Sequence, residues 1–244
     1  GVAPADFAGF SLNAHANAKT NPNAMYRNPL RPEAFAAAPM VADPINLLDM
    51  APDGDGAAAL ILISSGHGDA RTTGPPDYSG HGDARTTGAI RIAASTLATD
   101  TLALHDRRDM LALRAAQISA ARAYQRAGGI GPDDIDLFEL HDSFTVLAAL
   151  ALEAAGFAPR GQGWQLAQNG AIALTGRIPI STFGGLKARG NPGGAAGVVQ
   201  AVEAVLQLRG EAGPNQVRNA RRAMIQCLGS NGATAVTHIL ERDA

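Results

Sequence analysis

A single cysteine, Cys227, stands in 244 residues. One thiol excludes an intrachain disulfide framework and a cysteine-rich zinc site, and it fits a reducing compartment. Aromatic residues make up 5 % of the chain and charged residues 17 %, against 28 glycines. A chain short of rings and charge but rich in small residues is expected to pack helices closely on a sheet rather than stay disordered. The net charge of −2, with basic residues scattered apart from Arg221 and Arg222, leaves no basic face for nucleic acid and no polybasic patch for a membrane. No run reaches the roughly 18 apolar residues that a membrane span needs. The opening Gly1–Phe7 has neither a starting methionine nor the basic-then-apolar pattern of a secretory leader. The expectation is a cytoplasmic protein whose sequence begins inside a longer chain.

What is present divides into apolar runs and turn-rich loops. Pro4 to Ala18 reads as a helix, followed by a proline-punctuated section with at most short helices. Residues 57–64 form a continuous apolar run suited to a strand covered on both faces. Ile90–Leu97 reads as a strand, and residues 108–125 as a helix with Leu111, Ala115, Ile118 and Ala121 on its buried face, stopped by Gly128 and Gly129. Residues 134–140 alternate as a strand, and a helix then runs to Ala155. Gly193 to Arg209 reads as a further helix with a buried stripe of Val198, Ala201, Val202, Val205 and Leu208. Residues 223–228 and 233–241 close the chain as two strands around a glycine turn. Strands alternating with helices, plus a terminal hairpin, indicate an α/β fold with helices on both faces of the sheet.

Ser65–Gly74 recurs letter for letter as Ser79–Gly88, an offset of 14 residues. Two copies are too few for a solenoid. One reading is a repeated ligand loop with His67, Asp69, His81 and Asp83 as metal ligands, but glycine-flanked His and Asp are unspecific. The favoured reading is a polar loop enlarged by duplication, with no metal site.

Three loops carry chemistry-bearing residues. In His141-Asp142-Ser143-Phe144, at a strand end and a helix start, Asp142 or Ser143 is suited to cap the helix. His141 then either donates to a carbonyl oxygen that gains negative charge during reaction or is held structurally by a backbone carbonyl. The second loop runs from Ser181 through Gly184-Gly185 and Gly190-Asn191-Pro192 to Gly193-Gly194. Its glycines allow close approach of backbone or ligand before a helix N-terminus, and neither phosphate-loop nor dinucleotide spacing is present. The third is Cys227-Leu228-Gly229, where a lone thiol is either a small core hydrophobe or a reactive group.

Taken in order, these loops resemble the carboxy-terminal half of the thiolase family, which has an Asn-Glu-Ala-Phe or His-Asp-Cys-Phe loop, a Gly-Gly-Leu…Gly-His-Pro loop and a terminal Cys-x-Gly. The His-Asp-Ser-Phe form and the ending Gly-Ala-Thr-Ala-Val-Thr-His-Ile-Leu-Glu-Arg are similar to its sterol-carrier or lipid-transfer branch. The blocks Asn13-Ala-His15-Ala-Asn17, Val41-Ala-Asp43-Pro44 and Asp53-Gly-Asp55-Gly56 agree. The resemblance implies a thiolase-like mixed β-sheet with helices on both faces. It divides the chain into the end of the amino-terminal half (1–64), the duplicated loop (65–88) and the carboxy-terminal thiolase domain (89–244).

The same resemblance implies an acyl-CoA acyltransferase or carbon–carbon bond enzyme of lipid or sterol metabolism. Coenzyme A would be substrate or product, with no further cofactor. Cys227 would be the acid/base thiol, the Gly229 N–H part of an oxyanion hole, and His141 the group that polarises the substrate oxygen. Ser143 and Phe144 would line the acyl or pantetheine pocket. A homodimer or homotetramer is implied, as is an OB-fold partner for relatives that perform retro-aldol cleavage of β-hydroxyacyl-CoA. Two departures stand out. The family's nucleophile-cysteine block has no counterpart, and Asn191 replaces the Gly-His-Pro histidine. An amide donates a hydrogen bond but is no general base. That leaves room for retro-aldol chemistry, or for an acyl-CoA-binding subunit without catalysis.

Overall fold

The computed structural model describes residues 1–62 and 90–242. A 3-10 turn at Pro4–Phe7 leads into α1 (Ala8–Ala18), followed by α2 (Pro32–Ala36) and a small hairpin of β1 (Met40–Ala42) and β2 (Ile45–Asn46). Then come β3 (Ile90–Thr99), α3 (Arg114–Arg126), β4 (Leu137–Leu140) and α4 (Thr145–Ala154). The chain continues through α5 (Gln165–Gln168), a single π-helical turn (Gly185–Arg189), α6 (Ala196–Arg209), β5 (Arg222–Gly229) and β6 (Thr234–Arg242).

The main sheet has the order β3-β6-β5-β4. It is mixed: β4 and β5 are parallel, and β6 runs antiparallel to both β5 and β3. A lone parallel bridge from Phe138 to Ile180 extends it past β4. The period of two along each strand sorts side chains onto two faces. Phe138, Leu140, Met224 and Leu228 join a core with α1, α3 and α4, while Leu137, Ala223 and Ile225 join a second core with α6. Helices therefore cover both faces of the sheet. At the β3 edge, Arg126 and Arg122 of α3 donate to the carbonyls of Ser95 and Leu97 at 2.9 and 3.4 Å.

The structure corrects four expectations. Residues 57–62 form no strand. The last β-bridge before them is that of Asp53 with Asn191, and the apolar side chains of Leu60, Ile61 and Leu62 are exposed, Ile61 to 90 %. Residues 63–64 and the duplicated loop with His67, Asp69, His81 and Asp83 lie outside the described residues.

α3 starts at Arg114, not Arg108. The Asp109 side chain accepts from the Leu111 amide, a local turn that competes with helix, and Leu111 is 63 % exposed. The buried face of α3 is Ala115, Ala116, Ser119, Ala120, Ala123 and Tyr124. These small residues bring the helix onto the sheet, where Ser119 Oγ meets Thr237 Oγ1 at 2.7 Å and Gln226 Nε2 reaches the Ala116 carbonyl at 3.1 Å.

α6 buries Ala196, Gln200, Glu203, Ala204, Gln207 and Leu208, while Val198 is 39 % exposed. Of the expected stripe, Leu208 is buried and Ala201 and Val205 pack against the same core, but Val198 is exposed, and the inward positions between them are polar because they have inward partners. Gln200 donates to the Leu140 carbonyl at 2.6 Å, Gln207 donates to the Asn215 carbonyl at 2.8 Å, and Gln207 Oε1 accepts from the Val217 amide at 2.8 Å. The fourth correction concerns the cap of α4, which falls at Phe144 with no side-chain bond; Asp142 is used elsewhere.

Gln207→Leu leaves the Asn215 carbonyl and Val217 amide without their partner and should destabilise the protein by about 1–3 kcal/mol. Val198→Gln should shift stability by less than about 0.5 kcal/mol. Urea unfolding midpoints test both, and the opposite ranking would contradict this orientation of α6.

Candidate active site

The parallel register of β4 and β5 sets Leu140 opposite Gln226. The next residues on the two strands are His141 and Cys227, so pairing alone carries the imidazole and thiol to the same place. His141 Nδ1 lies 3.9 Å from Cys227 Sγ. Both sit on the α6 face, and a methyl group added at Gly197 in the first turn of α6 would lie 3.4 Å from that sulfur. The thiol thus stands at the carboxyl end of β5, beneath a helix start, in the region where open α/β sheets place ligands.

Burial governs the protonation of the pair. It pushes the Cys227 thiol up, with partial relief from a backbone hydrogen bond at Leu228. It pushes His141 down, against the opposing pull of Asp142. Both shifts favour neutral forms, so near pH 7 the pair is thiol plus imidazole rather than thiolate plus imidazolium. Such a thiol is a proton donor, with an imidazole positioned to exchange that proton.

Asp142, buried beside His141, grips the glycine-rich loop. One carboxylate oxygen accepts from the Leu186 amide at 2.7 Å and the other from Ser181 Oγ at 2.9 Å. Gly185 is required here: its φ is +54°, and a Cβ would sit 2.2 Å from the Asp142 carboxylate. Deeper under the loop, Glu139 accepts from the Thr182 amide at 3.0 Å, and Arg189 Nε lies 2.8 Å from Glu203 Oε1 in an ionic contact off the N–H axis. Burial raises both carboxyls against the pull of Arg189.

The other expected residues have partners of their own. The Asn191 side-chain oxygen accepts from the Gly193 amide at 3.2 Å, shaping its own turn; among the described residues its amide group makes no bond to His141 or Cys227. The Ser143 carbonyl accepts from the Ala51 amide at 2.8 Å, and Phe144 forms an antiparallel bridge with Met50. Gly229 ends β5 opposite Thr234 with an ordinary extended backbone. The strain comes just after it, where Ser230 and Asn231 take φ of 47° and 53°. Arg107, mostly buried, braces that turn by donating to the Asn231 and Thr101 carbonyls, each at 3.1 Å.

Sequence reasoning gave no role to Arg107 or Lys187, and took Asn17 only as part of a matching block. Asn17 Nδ2 reaches the Ile180 and Ser181 carbonyls at 3.3 and 3.1 Å, and Asn21 Nδ2 the Phe183 carbonyl at 2.9 Å. For Asn17 the available signal was a polar residue inside a largely apolar helix; the others carried none.

Two outcomes are expected. Alkylation of the sole cysteine by iodoacetamide should accelerate only above the ordinary thiol pKa of about 8.5; an inflection at or below pH 7 would mean a thiolate–imidazolium pair instead. Gly185→Ala should lower stability by about 2 kcal/mol or more, read from urea denaturation.

Comparison with known proteins bears on the family and the fold. The family described as thiolase C-terminal domain-like matches residues 96–242. The acetyl-CoA acetyltransferase of Methanothermobacter thermautotrophicus is 40 % identical over 232 residues, covering 95 % of this chain and 57 % of that protein. Sterol carrier protein 2 of Homo sapiens is 33 % identical over 233 residues, covering 95 % of this chain and 40 % of that protein. The chain therefore spans about half the length of the curated relatives it matches. Among solved structures, the Ltp2-ChsH2(DUF35) aldolase superposes with a TM-score of 0.80 at 20 % identity, over 99 % of this chain and 59 % of that one. A monomeric SCP2-thiolase like protein from Mycobacterium smegmatis gives a TM-score of 0.64 at 20 % identity, over 98 % and 46 %. Matched over more than half its length, with a mixed sheet that carries helices on both faces, this chain belongs to the thiolase C-terminal domain-like family.

Proposed function

We propose that the chain forms the carboxy-terminal part of a thiolase-like enzyme that makes or breaks a carbon–carbon bond, or transfers an acyl group, on an acyl-CoA thioester. The observation that carries this reading is the neutral Cys227–His141 pair, 3.9 Å apart at the carboxyl ends of two parallel strands. In such chemistry a carbanion develops beside a thioester carbonyl. Its charge moves onto oxygen, where His141 and the Gly229 amide would donate hydrogen bonds, and Cys227 would deliver or remove the proton at carbon. Ser143 and Phe144 would border the acyl or pantetheine group. Coenzyme A is then substrate or product, and a cytoplasmic homodimer or homotetramer is the proposed setting.

One observation favours retro-aldol cleavage of a β-hydroxyacyl-CoA over acyl transfer. Asn191 offers an amide where acyl transfer through a thiolate asks for a base. The fold likeness to the Ltp2-ChsH2(DUF35) aldolase supports testing the chain with an OB-fold partner protein.

The two reactions leave different products. Acyl transfer between thioesters releases free CoA, which a thiol reagent detects. Retro-aldol cleavage gives a carbonyl compound and a shortened acyl-CoA with no free thiol. Either product should form with the wild type, and His141→Ala should slow it about 100- to 1,000-fold while CoA binding by calorimetry persists. Binding without either product would leave a CoA-binding subunit, and absence of binding would overturn the reading altogether.

A further inference from the structure

Residues 49–54 cross the site as a short strap. Ala51 donates to the Ser143 carbonyl at 2.8 Å, and Met50 bridges Phe144. Two residues on, the Pro52 carbonyl accepts from the Asn191 amide at 2.9 Å, and the Gly54 amide donates back to the Asn191 carbonyl at 3.0 Å. The strap therefore touches both the His141–Phe144 loop and the Asn191 loop, and its backbone fixes the spacing between them. The approach is close on the Asn191 side: a Cβ at Gly54 or at Gly190 would fall 2.7 or 2.6 Å from the Met25 sulfur.

The strap is anchored at Asp49. Its carbonyl accepts from Lys187 Nζ at 2.7 Å, and its carboxylate accepts from Thr145 Oγ1 and, at 3.0 Å, from the Asn46 amide. Lys187 is only 2 % exposed and belongs to the π-helical turn that Asp142 grips through the Leu186 amide. The contacts close into a ring, from Asp142 to the π-helical turn, through Lys187 to the strap root, and along the strap back to Ser143. An aliphatic residue would cover the same apolar surface without desolvating an ammonium group. What the lysine adds is one directed bond across the ring.

We propose that Lys187 is a positioning residue whose bond to the Asp49 carbonyl clamps the strap, and through it sets Ser143 and Asn191 relative to the Cys227–His141 pair. The role of those groups in the reaction rests on the function proposed above; the clamp itself does not. Hydrogen exchange on the full chain reads the clamp directly. Lys187→Met keeps the bulk and removes the donor. It should raise exchange at the Ala51, Gly54 and Asn191 amides at least tenfold and leave the β5 and β6 amides unchanged. Thr145→Val, which loosens the same aspartate from its other side, should raise the same three amides, and the double variant should fall short of the product of the single effects. If Lys187→Met does not fold, Thr145→Val alone carries the test. Unchanged exchange at the three amides, or an equal rise throughout the sheet, overturns the proposal.

Where the wild type turns over a thioester, Lys187→Met should cut kcat about 10- to 100-fold with KM within about threefold, as expected for misaligned rather than missing groups. A wild type without turnover would count against the function while the exchange result still decides the clamp. Turnover with unchanged kcat in the variant would overturn the positioning role.

Discussion

The parallel pairing of β4 with β5 is the constraint on which the site depends. Register places Leu140 against Gln226, and the following pair is then His141 and Cys227. Because side chains alternate, the same register sends Glu139 toward the α6 side and Leu140 toward the opposite core. A shift of one residue would reverse every one of these assignments. The register is held from both faces, by Leu137 and Ile225 against Leu208, and by Phe138 and Met224 within the larger core.

Around that pairing the protein buries an unusual amount of charge. Glu139, Asp142, Lys187, Arg189 and Glu203 are all nearly inaccessible. Taking such groups out of water costs several kcal/mol per ion unless partners compensate. Here the compensation is directional: amides of Thr182 and Leu186 serve the carboxylates, and a backbone carbonyl serves the ammonium. Burial lowers Lys187 to about 8 despite Asp142 and Asp49. With that folded value below the ordinary one, the folded state holds fewer protons than the unfolded chain. The lysine therefore contributes a stability that rises with pH from about 8 toward its ordinary value near 10.4.

Much of this was legible in the sequence. The strands at 90–99, 222–229 and 234–242 and the helix at 145–154 announce themselves through apolar runs and glycine stops. The motif order also carried His141 and Cys227 to one site. Failures occurred where a tertiary partner outweighed local pattern. Val198 and Val202 outrank Gln200, Glu203 and Gln207 on any hydrophobicity scale, yet the polar side chains face inward because Leu140, Arg189 and Asn215 meet them there. Asp142 sits where a helix cap belongs, but the amide it serves is 44 residues away. Residues 57–62 have the composition of a buried strand, and composition carries no information about whether a neighbouring strand is available.

The arginines lying over β3 bear on assembly. Among the described residues β3 is a ten-residue strand at the margin of the sheet, and such a strand offers hydrogen-bonding groups to an extended segment that passes. On this strand the Ser95 and Leu97 carbonyls already carry guanidinium donors from α3. A foreign strand seeking those acceptors must first displace two guanidinium groups. Two long, charged side chains thus cover part of this margin, and any strand pairing along it would be sensitive to ionic strength.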